Sequence, residues 1–80
     1  MPRYYFHLRG GRGTRLLDEH GMPLPDAEAA WYQAVRSARE LILADRALGY
    51  SWAEQKIEVE DWTGTPVHEI LLDDVAAFSF

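Results

Sequence analysis

The sequence predicts a small α+β domain in which a four-stranded, mainly antiparallel sheet carries one helix packed on one face. Two pairs of short segments alternate between apolar and polar residues, as half-buried strands do. One longer stretch between these pairs repeats its apolar residues with the helical period. The expected order is strand, strand, helix, strand, strand, in one domain that spans residues 1–80.

The first predicted hairpin begins with a clear strand. Tyr4, Phe6 and Leu8 are expected to face the core, because they alternate with more polar residues at positions 3, 5, 7 and 9. Glycines at positions 10, 11 and 13 supply the positive φ angles of a tight turn, after which residues 14–18 are expected to run back. Residues 19–21 are typical of a further turn, and residues 22–24 are expected to extend briefly.

The helix is predicted from Ala27 to the glycine at position 49. Asp26 can accept hydrogen bonds from the first helical amides, and the apolar residues at 27, 31, 34, 35, 38, 41 and 42 share one stripe. Arg46 complements the helix dipole in the last turn. Asp45 falls on the apolar stripe, so we expect its carboxylate to reach water at the rim or to meet an arginine.

The second predicted hairpin follows a connection at residues 50–55. Residues 56–60 alternate as a strand, residues 62–65 are typical of a turn, and residues 67–72 are expected to return as the fourth strand. Asp73 and Asp74 are expected to break this strand. The apolar tail at residues 75–80 is expected either to add an edge strand or to lie over the core.

Composition and charge exclude several classes of function. The net charge is −5, and the chain has no cysteine, which excludes disulfides and thiolate metal sites. The first 15 residues hold four arginines and no acid, whereas all 13 acidic residues follow, and an acidic body repels phosphate. No apolar run is long enough for a signal peptide or a membrane span, so a cytoplasmic protein without membrane contact is expected.

Four short motifs are shared with a known family. They are MPRYYFHLR at the start, DEHGMPLPDAEAA before the helix, AVRSARELI within it and DWTGTPV in the second hairpin. The chain thereby resembles a family of short bacterial proteins classed as a domain of unknown function, whose members open with Met-Pro-Arg-Tyr-Phe-Phe-His. Tyr5 stands where these proteins usually have phenylalanine. The resemblance implies a compact, stand-alone bacterial domain, and it implies no activity, ligand or catalytic residue.

The segment LRGGRGTRLL, residues 8–17, has two interpretations. Arg9 and Arg12 with the nearby Tyr5 match the composition of Arg-Gly-Gly segments that bind single-stranded nucleic acid. Such segments are usually repeated, whereas this one occurs once, between two strand patterns, so a hairpin turn is favoured. The alternative function is a nucleic-acid-binding accessory protein that uses Tyr5 and the arginines at positions 3, 9, 12 and 15.

No catalytic, cofactor or metal site is expected. His7, His20 and His68 lack the spacing of metal ligands, even with Asp18 or Glu19 as a carboxylate ligand. The serines and threonines lie in no nucleophile motif, and so small a domain rarely encloses a substrate cleft.

The sequence predicts a non-catalytic binding or assembly module that self-associates through the open sheet face or the C-terminal tail. The open sheet face is the one that the helix leaves uncovered, and an uncovered surface on a small domain tends to recruit another chain. Its expected residues are Tyr5, His7 and Arg9 from the first strand and Lys56, Glu58 and Glu60 from the third. The tail contributes Phe78 and Phe80.

A second partner surface is predicted on the flank of the helix that faces away from the core. Tyr32, Arg36, Arg39 and Leu43 lie there together, a composition typical of interface hot spots. The alternative is that the connection at residues 50–55 folds over Leu43 and buries it. The expected partner is a second copy or another protein. A partner-neutralising protein such as an antitoxin is a third alternative, which size and acidity allow.

Overall fold

The computed structural model describes residues 1–10, 15–48 and 54–79, with the backbone alone at positions 48, 78 and 79. The elements are, in chain order, β1 (Arg3–Arg9), β2 (Arg15–Leu16), β3 (Met22–Pro23), α1 (Ala27–Leu48), β4 (Lys56–Glu60), β5 (Pro66–Leu71) and α2 (Leu72–Ser79). They confirm the α+β class, with one long helix on an antiparallel sheet. The described sheet has five strands rather than four, because the brief extension after the second turn pairs with β1 as a strand of its own.

β1 lies inside the sheet and pairs antiparallel with three other strands. β4 runs beside it from Tyr5, opposite Glu60, to Arg9, opposite Lys56. β2 pairs with the carboxyl end of β1, and β3 pairs with its amino end. Within the described ranges β5 pairs with β4 only, so the order β2, β1, β4, β5 leaves β5 at an edge of the sheet.

β2 is shorter than the predicted strand at residues 14–18, because a side chain interrupts the pairing. Beyond Leu16, Oδ2 of Asp18 accepts a hydrogen bond of 3.1 Å from the backbone N–H of Phe6. That N–H points to the edge of β1 that a longer β2 would occupy, so the carboxylate takes the place of a strand carbonyl there. The predicted glycine turn falls largely on residues 11–14, which lie outside the described ranges.

α1 packs on the sheet through a row of alanines. Ala30, Ala34 and Ala38 have no exposed surface. Because each side chain is a single methyl group, the helix lies close to the strands. The rest of the buried core comprises Tyr4, Ile42, Ile57, Val59, Ile70, Leu72 and Val75, with Phe6 and Leu8 partly buried against it. The predicted core face of the first strand is therefore confirmed.

The predicted start of the helix is also confirmed. α1 begins at Ala27, and Oδ1 of Asp26 accepts a hydrogen bond of 2.8 Å from the N–H of Ala29, as an N-cap residue does. The helix extends to Leu48. The glycine at position 49 and most of the connection at residues 50–55 lie outside the described ranges.

The second hairpin forms where the pattern predicted it. β4 has the predicted bounds, and β5 is shifted by one residue at each end. The turn is closed by Asp61, whose Oδ1 accepts from the Thr63 hydroxyl at 2.6 Å and from the N–H groups of Thr63 and Thr65. The Thr63 hydroxyl, with these two amides, holds the pKa of the Asp61 carboxyl below its ordinary value.

The apolar tail lies over the core, which is one of its two predicted arrangements, and it does so as a helix, because residues 72–79 form α2. β5 ends before Asp73 and Asp74, as predicted. The two aspartates lie in the first turn of α2, where carboxylates complement the helix dipole. Leu72 is fully buried and Val75 is 7% exposed, so α2 covers part of the core. Phe80 lies outside the described ranges.

Gly21 is expected to tolerate alanine much less well than Gly64, although both have positive φ angles, of 66° and 82°. A Cβ at Gly21 would lie 2.8 Å from the Tyr4 carbonyl oxygen and 2.8 Å from Cγ of Arg3, whereas a Cβ at Gly64 meets nothing within 4 Å. Gly64→Ala should cost about 1 kcal/mol for the left-handed backbone. Gly21→Ala should cost roughly 1 to 3 kcal/mol more, because the backbone must shift. Urea unfolding of both variants measures the difference, and equal losses would contradict it.

Candidate functional site

An apolar groove of about 430 Å³ opens beside β5. Its walls come from three elements: Trp31 and Val35 of α1, Glu69, Ile70 and Leu71 of β5, and Asp74 and Val75 of α2. We call it the β5 groove. Trp31 is 41% exposed, so a large apolar side chain faces water at its wall. Leu71 is 42% exposed and borders the groove at the strand edge, although its side chain alternates to the face opposite that of the buried Ile70.

The β5 groove exists because the helical layer extends past the last strand of the sheet. Trp31 lies on the core stripe of α1, yet β5 is an edge strand and no further strand of the described chain lies beneath that side chain. The groove therefore occupies the position where a core-facing side chain of one more strand would lie.

The backbone of β5 is also unpaired along this edge. The N–H of Leu72 donates to the Gln55 carbonyl at 3.0 Å, so the backbone groups of Leu72 and Ile70 face β4. Since these directions alternate in an antiparallel ladder, the N–H groups of Glu69 and Leu71 and the C=O of Glu69 point away from β4. We call this side of the strand the β5 edge. It presents donors and an acceptor that an added strand can use.

The polar residues at the β5 groove are acidic. Glu69 and Asp74 line it, and Asp73, which precedes Asp74 in the first turn of α2, is exposed. Nζ of Lys56 lies 3.4 Å from Oε1 of Glu69, but the same ammonium group also lies 3.9 Å from Oε1 of Glu58. One lysine is thus shared between two carboxylates, and the groove keeps a net negative rim.

The open sheet face has the predicted residues, and it pairs their charges within the chain. Tyr5, His7 and Arg9 lie opposite Glu60, Glu58 and Lys56. Nε of Arg9 is 2.8 Å from Oε1 of Glu58, which is ion-pair distance, although the Nε–H does not point at that oxygen and makes no hydrogen bond. The basic residues of this face therefore meet acids of their own sheet.

His7 joins this face to the turn that follows β2. Its Nδ1 accepts a hydrogen bond of 3.0 Å from the N–H of Asp18, so the ring proton lies on Nε2, which is 3.4 Å from Oε2 of Glu60. Oδ1 of Asp18 accepts from the N–H groups of His20 and Gly21. Residues 18–21 and β1 are held together by these bonds, which makes His7 a structural residue here.

The arginines of the predicted nucleic-acid surface do not form one patch in the described structure. Arg3 donates to the His20 carbonyl at 2.8 Å, at the opposite end of β1 from Arg9. Arg15 is exposed beside Arg9 in β2, and Arg12 lies outside the described ranges. Two of the five proposed contact residues are thus engaged in bonds or ion pairs within the chain.

The outer face of α1, formed by Tyr32, Arg36, Arg39 and Leu43, is exposed to solvent. Tyr32 is 61% exposed and Leu43 is 52% exposed. Tyr32 stacks edge to face on Trp31, with ring centroids 5.1 Å apart, so this face adjoins the β5 groove. The alternative that residues 50–55 bury Leu43 rests largely on residues outside the described ranges.

The remaining candidate ligands have structural contacts or lie apart. Nε2 of His68 is 2.7 Å from the carbonyl oxygen of Ala27, which ties β5 to the start of α1. Asp45 lies at the rim of the helix, where Nε2 of Gln55 is 3.5 Å from its Oδ2. Across the three described ranges no three histidine, aspartate or glutamate side chains are placed to hold a metal ion. Neither described helix combines the length and the apolar character that a bilayer crossing requires.

Comparison with known proteins places the chain in a family. The sequence pattern of the family described as "Domain of unknown function (DUF6894)" matches residues 3–73. The chain belongs to this family. The match confirms the resemblance to this family that the sequence motifs indicated. The matched part of the chain extends from β1 to the first turn of α2. No curated protein and no solved structure matches the chain.

Sequence reasoning missed the β5 groove of this DUF6894 domain. The helical period places Trp31 on the core stripe, which is right for its position on the helix. The period does not show that the sheet ends at β5, before it extends beneath Trp31. The one available signal was Leu71, which follows Ile70 and so places a leucine on the polar side of an alternating strand.

Asp18→Asn is expected to destabilise the protein at neutral pH by about 1 kcal/mol, because one amide oxygen cannot replace two carboxylate oxygens that accept three backbone N–H bonds. Burial raises the pKa of Asp18, but the amides of Gly21, Phe6 and His20 outweigh it and hold the pKa below its ordinary value. The stabilisation is therefore present above about pH 4 and is lost as the pH falls through the folded-state pKa.

Thermal unfolding of the wild type and of Asp18→Asn between pH 7 and pH 2 checks this expectation. The difference between the two proteins should shrink toward zero in acid. Glu19→Gln, an exposed carboxylate in the same turn, is the control and should show no such convergence. A difference that stays constant down to pH 2 would show that ionised Asp18 is not what holds the turn.

Proposed function

We propose that this protein is a non-catalytic binding and assembly module that associates with copies of itself, and that the β5 groove and the β5 edge form its principal binding surface. The observation that carries this proposal is that an exposed apolar groove and an unpaired strand edge lie side by side. Trp31 of α1 stands uncovered, and the backbone groups of Glu69 and Leu71 beside it have no strand partner in the described chain.

Each feature favours contact with another polypeptide. An exposed apolar surface gains free energy of about 25 cal/mol for each Å² that a partner covers. An unpaired strand edge gains specificity from a second strand, because its donors and acceptors fit only an extended backbone. A small ligand could use the apolar walls, but it would leave the row of backbone groups unused.

The absence of catalysis is part of the proposal and is supported by the chemistry of the groove. Its polar lining consists of two carboxylates, Glu69 and Asp74, with no nucleophile or histidine between them. The side chains with the richest hydrogen bonding, Asp18, His7 and Asp61, all bind the backbone or side chains of turns and β1. They serve the fold rather than an open cleft.

Nucleic-acid binding through the N-terminal arginines is the second candidate, and it has less support. Arg3 and Arg9 contact the chain itself, and the acidic rim of the β5 groove repels phosphate. A test for single-stranded nucleic acid at low salt separates this function from assembly.

Trp31→Ala is expected to weaken self-association about tenfold or more, because Trp31 is the largest apolar side chain of the groove. The measurement is mass by light scattering after size exclusion, over a range of protein concentrations. Trp62→Ala is the matched control, since Trp62 is 60% exposed but lies in the turn between β4 and β5. It should leave the association unchanged.

A strictly monomeric wild type at high micromolar concentration would overturn the proposed self-association. Association that is equally sensitive to Trp31→Ala and Trp62→Ala would instead place the contact surface away from the β5 groove.

A further inference from the structure

We propose that the assembly is head-to-tail: residues 15–17 of one copy, the β2 edge, add as a strand to the β5 edge of the next copy. This inference rests on the proposed function and names the partner of the same surface. It follows from the charge of the two edges, from the strand directions and from the faces on which their side chains lie.

The charges on β5 disfavour a symmetric pairing of β5 with a second β5. The fullest antiparallel overlap of the outward-facing residues would place Glu69 opposite Glu69 of the second copy, and like charges directly opposite one another destabilise a strand pair. Lys56 relieves this only in part, because it is shared with Glu58. The β5 edge therefore requires a strand that carries a cation.

The β2 edge has the complementary chemistry. Arg15 is exposed and makes no ion pair in the described structure, and it lies opposite Arg9, a second cation. Leu16 and Leu17 are 63% and 56% exposed, although they follow directly in the same short segment. A basic residue next to two uncovered leucines matches a groove with an apolar floor and an acidic rim.

The strand directions allow the two edges to meet. β2, β1, β4 and β5 alternate in direction across the sheet, because each neighbouring pair is antiparallel. β2 consequently runs opposite to β5. A second copy placed beside the first in the same orientation brings its β2 antiparallel to β5, with the helices of both copies on one side of the continuous sheet.

The outward-facing backbone groups also correspond. The N–H of Phe6 points toward Asp18, on the β2 side of β1. Two residues further along β1, the backbone groups of Leu8 therefore point toward β2 as well, and those of its partner Leu16 point back toward β1. By alternation, the backbone groups of Arg15 and Leu17 point outward, as those of Glu69 and Leu71 do on β5.

The side chains then fall on matching faces. Leu16 lies on the helix side, as its partner Leu8 does, and so is directed toward the β5 groove of the next copy. Arg15 lies on the open side with Arg9, which is also the side of Glu69. One strand addition thus covers the groove with a leucine and brings a cation beside the acidic residue.

The test uses two variants, each blocked at one edge. Arg15→Glu disables the β2 edge and leaves the β5 edge intact, whereas Glu69→Lys does the reverse. Because a head-to-tail interface uses a different edge from each copy, each variant alone should be monomeric under conditions where the wild type assembles. Mixed in equal amounts, the two should assemble again into alternating chains, because every contact between unlike variants joins a cation to a carboxylate, whereas every contact between copies of one variant joins like charges.

The double variant Arg15→Glu/Glu69→Lys gives a second expected result. It carries the opposite charge at each edge, so it should assemble with itself again. Glu40→Lys, at an exposed position of α1 that belongs to neither edge and does not line the groove, is the control for net charge and should assemble as the wild type does. Circular dichroism melts establish that every variant is folded, and the milder changes Arg15→Ala and Glu69→Gln replace any reversal that is not.

The outcomes separate this inference from the proposed function. A monomeric wild type overturns both. A wild type that assembles while Arg15→Glu and Glu69→Lys assemble equally well overturns the head-to-tail contact alone. Tighter assembly of Glu69→Gln than of the wild type would also overturn it, because that result is expected of a symmetric β5 pairing from which a repulsion has been removed.

Discussion

The close packing of α1 on the sheet through Ala30, Ala34 and Ala38 sets the geometry of the whole domain. A helix is about 10 Å wide, whereas four strands at about 4.8 Å spacing span roughly 14 Å between their outer axes. One helix therefore covers only part of the sheet. α2 supplies part of the missing cover through Leu72 and Val75, and the β5 groove is the space that remains between the two helices and the edge.

The same constraint explains why Leu16 is exposed at the opposite edge. Leu16 is on the helix side of β2, where the alternation places a core residue, yet α1 does not reach over it and it is 63% exposed. Leu8, one strand further in, is packed against the core. The helical layer therefore extends past β5, where it forms the groove, and does not reach Leu16 at the other edge of the sheet. The polar open face is different, because the Arg9–Glu58 and Lys56–Glu69 ion pairs across its strands are partly solvated and contribute little free energy each.

The sequence was sufficient to predict the elements that local chemistry determines. The alternation in β1 and β4, the period of α1 and the Asp26 cap all appear at the predicted places. Two elements differ from the sequence prediction: the end of β2 and the conformation of residues 72–79. β2 ends early since Asp18 bonds across to Phe6, twelve residues away, which no local pattern shows. The tail covers the core, as one predicted alternative has it, but its helical form was not predicted, although two aspartates are favourable at a helix start. The groove could not be predicted for a similar reason: the register of Trp31 on the helix is visible in the sequence, but the width of the sheet beneath it depends on strand order.

The distribution of charge along the chain acquires a spatial meaning in the folded domain. The first 15 residues contain four arginines without an acid. Of the three that lie in the described ranges, Arg3 and Arg9 contact the chain itself, and Arg15 is the exposed cation of the β2 edge. At the other end of the sheet, Glu69 and the two aspartates of α2 form the acidic edge. Charge is therefore distributed unequally across the strands, since the β2 edge of the sheet is basic and the β5 edge is acidic. Copies in the same orientation attract along this direction, whereas a two-fold arrangement that joins equal edges brings like charges together. The exposed position of these charges means that salt weakens this preference, while burial of the leucines and of Trp31 does not depend on ionic strength. Orientation and affinity therefore come from different parts of the same two edges.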